Sequence, residues 1–195
     1  MKQRIFILLL LAAVCFSSCQ KDAVEPTATP QVSQKVTATT TSALNQDTVN
    51  IAVNGYLRIQ LAEDAFNTDN ILIDFNPGSS TAYVRNEDAP TLQGFGAVSL
   101  SSLSSDNVAL AINVMPLTSK GVTVPLVVGA KASGLYKLNL STVNNIPASF
   151  DIWLMDKYKK DSLDFRDNPT YAFNLTKTDT NSYGSHRFTV VVRQK

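Results

Sequence analysis

From residue 49 onward, no stretch of this chain sustains the apolar period of a helix. Apolar residues alternate instead over short runs that stop at turn signals every ~8–15 residues. Ile71, Ile73 and Phe75 share one face and end at Asn76-Pro77-Gly78. Residues 49–53 alternate and meet Asn54-Gly55, a strong hairpin signal, after which Leu57, Ile59 and Leu61 again share a face. Further strands are expected over 82–84, 97–100, 108–114, 122–128, 135–140, 150–155, 171–175 and 187–192. Such a pattern predicts an all-β domain over residues 49–195, an antiparallel, jelly-roll-like β-sandwich. Its expected core includes Ile73, Phe75, Leu110, Ile112, Leu126, Val128, Leu138, Leu140, Ile152, Leu154, Phe173, Phe188, Val190 and Val192.

The front of the chain is a different material. Lys2 and Arg4 precede an uncharged run over residues 5–14. A helix of that length reaches about 15 Å, half of a bilayer core of about 30 Å, so an export signal is favoured over a membrane span. Cys15 follows the bulky Val14, whereas Cys19 follows the small Ser17 and Ser18. The Phe16-Ser17-Ser18-Cys19 segment resembles a bacterial lipobox, with Phe16 where Leu is commonest. That resemblance implies a signal peptide over 1–18, removed on maturation, and acylation of Cys19. A lipoprotein of this type carries two or three acyl chains, palmitate among them, which anchor stably. The bland alternative is a plain signal peptide that leaves Cys19 as a free thiol. Gln20-Lys21-Asp22 after the cysteine resembles the short Lys-plus-acid signal with which Bacteroidota send lipoproteins to the outer surface. The expected location is the outer membrane, exposed at the cell surface; a periplasm-facing lipoprotein is the alternative.

Residues 20–48 hold seven Thr, Pro26 and Pro30, and no aromatic. Apolar residues there follow no period, so the segment reads as a disordered tether behind the lipidated Cys19. Its mean span as a coil is about 30 Å, and about 100 Å when stretched. Of the chain's 17 basic residues two lie in the leader, which has none of the 16 acids, so the mature chain carries 15 against 16. That balance argues against nucleic acid as a partner. With Cys19 acylated no thiol remains for a disulfide, and packing alone must hold the domain.

A set of short motifs then follows in order. Residues 108–113 read Val-Ala-Leu-Ala-Ile-Asn with Pro116 after them, and 124–128 read Val-Pro-Leu-Val-Val. Residues 134–138 (Gly-Leu-Tyr-Lys-Leu), 152–157 (Ile-Trp-Leu-Met-Asp-Lys), 171–173 (Tyr-Ala-Phe) and 187–190 (Arg-Phe-Thr-Val) complete the series, with 56–59, 71–75 and 82–83 upstream. Together these resemble a β-sandwich module found near the C-terminus of large secreted Bacteroidota proteins. The resemblance spans roughly residues 50–193 and implies surface display, adhesion or accessory binding, not a defined reaction. In that family the module often precedes a type IX sorting domain; here the sequence ends at Lys195, and a lipid at Cys19 is expected to do that work.

Catalytic chemistry finds few candidates. His186 is the one histidine, beside Arg187 after Gly184-Ser185, and no Gly-x-Ser-x-Gly elbow accompanies it; it reads as a surface residue at a turn. One His and no free Cys leave no ordinary zinc set. Gly94-Phe95-Gly96 lacks the third glycine and the helix of a dinucleotide loop. Glycosidases need two facing carboxylates, and Glu25, Glu63 and Glu87 are the only mature glutamates. The oxygen-rich set Asp151, Asp156, Asp161, Asp164, Asp167 and Asn168 suits Ca²⁺ in type, but Lys157, Lys159, Lys160 and Arg166 are interleaved. Turn hydrogen bonds are the favoured reading, with no enzyme activity, cofactor or metal expected.

Trp153 is the sharpest pointer to a ligand. Phe150, Ile152 and Leu154 alternate with Asp151, Trp153 and Met155, so a core-facing first set turns Trp153 outward. With Tyr158 or Tyr171 nearby, Trp153 could stack on a sugar ring or anchor a protein partner; the alternative is that it lies under a loop or shares a second, smaller core. Residues 47–49 and 161–163 carry short Asp-Thr/Ser patterns resembling Bacteroidota O-glycosylation sites, at Thr48 and Ser162. The expected function is a membrane-anchored surface lipoprotein with a non-catalytic interaction or adhesion module. The alternative is a carbohydrate-binding accessory lipoprotein, and the partner is a surface protein or glycan.

Overall fold

A computed structural model of the chain describes residues 52–92, 94 and 96–195. Cys15, Cys19, Gln20, Lys21, Asp22, the segment 20–48 with Thr48, and the start of the strand expected over 49–53 lie outside the described residues. The described residues form eleven strands: β1 Gly55–Ala62, β2 Thr68–Phe75, β3 Ala89–Pro90, β4 Val98–Leu103, β5 Ala109–Met115, β6 Val122–Ala130, β7 Gly134–Asn144, β8 Phe150–Asp156, β9 Asp161–Asp164, β10 Thr170–Leu175 and β11 Gly184–Gln194. One 3₁₀ turn, Thr180–Ser182, precedes β11.

All strands join one mixed sheet in the order β10-β7-β1-β2-β5-β4-β6-β11-β8-β9, with β3 added beside β5. The all-β expectation stands. Its antiparallel part meets one exception: β2 and β5 run parallel, Leu72 opposite Ile112 through Phe75 opposite Met115. Although β10 and β11 stand far apart in that order, Phe173 and Phe188 meet with ring centroids 4.7 Å apart at 64°, and Tyr171 meets Phe188 edgewise at 6.1 Å. The sheet therefore curls until it nearly closes into a barrel around one core.

Strict alternation builds that core. Leu57, Ile59 and Leu61 of β1, Ile71, Ile73 and Phe75 of β2, and Phe150, Ile152 and Leu154 of β8 are buried, as the sequence pattern requires. Each such side chain contributes about 1.5–3 kcal/mol on burial.

Three expectations need correction. Asn54-Gly55 makes no hairpin: Gly55 opens β1 opposite Phe75, and a side chain there would run into Asn144 O of β7. Residues 82–84 form no strand; Val84 begins a turn in which Glu87 N and Asp88 N donate to Val84 O. Ile112 is 37% exposed, while Asn113 beside it is buried. The cause is β5 itself, which leaves β4 after two residue pairs and continues along β2. Asn113 Nδ2 then donates to Ser102 Oγ at 3.2 Å, an inward polar contact that turns Ile112 out.

The strands give the domain two ends. Gly55, Phe75, Asn144, Phe150 and Gln194 lie at the end where the chain enters. Lys195 N donates to Ser149 O there, so the last residue packs against the β7–β8 loop that also borders Gly55. Ala62, Thr68, Val98, Ala130, Gly134, Leu175 and Gly184 mark the opposite end.

Candidate functional site: the loop end and its buried anchor

At the end away from the chain's entrance, four loops converge: β1–β2, β3–β4, β6–β7 and β10–β11. The last of these is held by Arg187, buried near the start of β11. Its Nη2 lies 2.8 Å from Asp156 Oδ2, and Nε donates to both carboxylate oxygens at 3.1 Å. Nη1 donates to Asn174 O of β10 at 2.7 Å and to Ser182 O at 2.6 Å. The rings of Phe173, Phe188 and Tyr158 lie 4.6–4.9 Å from the guanidinium carbon. Planar, forked and rich in donors, arginine suits such a site, where a lysine would leave several acceptors unmet.

Through Ser182 O the hub holds the β10–β11 loop. Ser182 Oγ donates toward Thr176 O and Asp179 O and accepts from Thr176 N, and Asp179 accepts from Asn181 N to start the 3₁₀ turn. Lys177 is fixed from three sides: its N donates to Ser133 Oγ, its Nζ donates to Ala130 O at 3.0 Å, and it covers the Tyr183 ring at 4.4 Å. On the opposite wall Asp69 Oδ2 accepts from Leu100 N at 2.7 Å, tying the start of β2 to β4.

Between these walls runs an open groove of about 570 Å³. Lys131, Lys177, Tyr183, Asp69, Ser99 and Leu92 supply its chemistry. Gly129 lies at its side, where a methyl group would run into Ser99 Oγ. Leu92 is 86% exposed, and Phe66, at the tip of the β1–β2 hairpin, is 95% exposed. Phe66 is held out by Asp64, whose Oδ1 accepts from Phe66 N and Asn67 N; these bonds lower the Asp64 pKa. A groove of this size lies within the range of ligand sites.

The aromatic residues singled out in the sequence do not assemble. Trp153 lies half-buried on the outer face of β8 with Met155, Val191, Ser162 and Arg193 around it. The Arg193 guanidinium carbon is 5.6 Å from the Trp153 ring, and Trp153 Nε1 is buried without a hydrogen-bond partner among the described residues. Tyr171 points to the other side of β8: its hydroxyl donates to Asp156 Oδ2 at 3.1 Å. Burial first, then the Asp156 charge, pushes the Tyr171 pKa up to about 12. Tyr158, in the β8–β9 turn, donates to Asp179 Oδ2 at 2.9 Å, which raises the Tyr158 pKa and lowers that of Asp179. Both tyrosines thus serve the Arg187 hub, and Trp153 stands apart from them.

The aspartate-rich segment is likewise engaged in turns. Asp156 Oδ1 accepts from Tyr158 N and Lys159 N, Asp161 from Ser162 N, and Asp164 from Arg166 N and Asp167 N. Among the described residues no group of three or more His, Cys, Asp or Glu is placed to hold a metal. His186 is exposed beside Lys157, Tyr158 and Asn181. The loop-end residues Lys131, Lys177, Tyr183 and Leu92 were not singled out in the sequence. Their one local signal is Leu92 and Phe66 standing within otherwise polar turns.

No protein-family model matches this chain, and no curated protein or solved structure matches it.

Proposed function

We propose that this chain is a surface lipoprotein, anchored to the outer membrane through Cys19, whose β-domain is a non-catalytic interaction module. The observation that carries the reading is the polarity of the domain. The chain enters and ends at one end, and the groove with its exposed Leu92 and Phe66 occupies the other. A domain held from its N-terminal side would present that far end to partners. The lipobox-like Phe16-Ser17-Ser18-Cys19 and the Thr-rich segment 20–48 supply an anchor and a spacer. We read the halves of the sheet on either side of the two-pair β4–β5 junction as the layers of a jelly-roll-like sandwich, in keeping with the resemblance to modules of secreted Bacteroidota proteins. Protease treatment of intact cells tests display: the domain is expected to be shaved, and protection until the outer membrane is opened would overturn it. Cys19→Ser is expected to move the protein from the membrane to the soluble fraction.

A carbohydrate-binding role centred on Trp153 is the second reading. It is favoured by the half-buried indole bordered by Ser162 and Arg193. It calls for glycan-array binding that Trp153→Ala abolishes while the fold persists.

A further inference from the structure

We propose that the loop-end groove binds an acidic, apolar-bearing peptide segment of a partner protein. This rests on the interaction-module reading and names the chemistry of its partner. Charge comes first. Two cations line the groove, Lys131 and Lys177, against one carboxylate, Asp69. Both oxygens of that carboxylate are already engaged, Oδ1 by Asn70 N and Oδ2 by Leu100 N. Lys131 is exposed and makes no ion pair among the described residues. Lys177 donates to Ala130 O, which leaves further ammonium donors for an incoming carboxylate.

Shape and polarity narrow the class. The groove is an open trough bounded by loops, which suits an extended chain more than an enclosed small molecule. Leu92 lines it at 86% exposure, and Phe66, 95% exposed, projects from the adjacent hairpin, so two apolar side chains are open to an incoming chain. An acidic polysaccharide would satisfy the lysines and leave these two unused. A peptide alternating acids with Leu or Phe meets both features. The β10–β11 wall is fixed before binding: Lys177 by Ser133, Ala130 and Tyr183, and Ser182 by Arg187. Binding then costs little ordering of that loop.

The test uses the purified full-length protein in detergent micelles and fluorescence anisotropy with three labelled probes. These are a Glu-Leu-Glu-Phe repeat peptide, its Lys-Leu-Lys-Phe counterpart, and polygalacturonate. Binding is expected for the acidic peptide alone, weakening as salt rises past about 0.15 M. Lys131→Glu is expected to weaken it about fivefold or more, a change that surface charge reversal supports. Leu92→Ser should weaken it comparably without changing the salt slope. Lys131 and Leu92 are exposed, so both variants should keep the parent's melting temperature. The proposal is overturned by equal binding of the basic peptide, by polygalacturonate binding better than the acidic peptide, by no binding of any probe, or by affinity indifferent to Lys131→Glu. Display on cells is read separately, so loss of peptide binding with shaving intact removes this inference alone.

Discussion

Arg187 and Asp156 form an ion pair from which solvent is excluded, their side chains 0% and 1% exposed. Between them they bind β8, β10, β11 and the loop before β11: Arg187 reaches Asn174 O and Ser182 O, and Asp156 takes the Tyr171 hydroxyl and two backbone N–H groups. Removing either partner strands the other charge in the core. Arg187→Met is therefore expected to cost about 3–5 kcal/mol, and Arg187→Lys most of that, because one ammonium cannot meet the same acceptors. Urea unfolding of each variant measures this. A double change of both residues to apolar ones should recover part of the loss.

Tyr171 gives the pair a signature at high pH. Its ordinary pKa of 10.0 is raised to about 12 in the fold. A raised pKa means that its contribution to stability is complete below 10 and is lost as pH climbs toward 12, because the unfolded chain gives up the proton first. Stability should fall over that window, and the fall should shrink in Tyr171→Phe. Absorbance titration of tyrosinate, with the variant as reference, should show one group ionising late.

Asp88 stands in for a missing strand neighbour. Its Oδ1 accepts from Val114 N at 2.7 Å and its Oδ2 from Val84 N at 2.6 Å, so one buried carboxylate ties the segment before β3 to β5. Asp88→Ala leaves two backbone donors unmet and is expected to cost roughly 2–5 kcal/mol. Asp88→Asn keeps one acceptor and should cost less. Hydrogen exchange at Val114 N should quicken in both.

Gly121 has a positive φ of 80°, and a side chain there would meet Val192 O of β11. Strain and collision act together, so Gly121→Ala is expected to destabilise by about 1–3 kcal/mol. Gly94→Ala, at φ 104° with open space around it, isolates the strain alone and should cost less. Thermal melts of the two variants compare them.

How far the sequence could be read follows from which forces placed each element. Ile71, Ile73 and Phe75, and Phe150, Ile152 and Leu154, announce their strands because alternation and burial coincide there. Ile112 misled because β5 leaves one neighbour for another, and only the amide of Asn113 records the change. Residues 82–84 have a strand's composition, but Val84 N is taken by the Asp88 side chain in a local turn and Tyr83 N by Asp106 of the β4–β5 loop. The candidate site was less legible still. Lys131, Lys177 and Leu92 come from three separate loops and have no local pattern in common. Tyr158 and Tyr171 looked like a stacking platform with Trp153, yet a buried ion pair that no periodicity reveals claims both, Arg187 facing the Tyr158 ring and Asp156 taking the Tyr171 hydroxyl.

The placement of the chain's entrance opposite the loop end also sets how the domain bears force. A pull between Gly55 and a partner held at the far loops runs along β1, which is paired on both sides, with β2 and with β7. Antiparallel hydrogen bonds lie across the strand axis, so such a pull shears both ladders at once and does not unzip them one bond at a time. Under tension of this kind, the hydrogen bonds of both ladders must give way together.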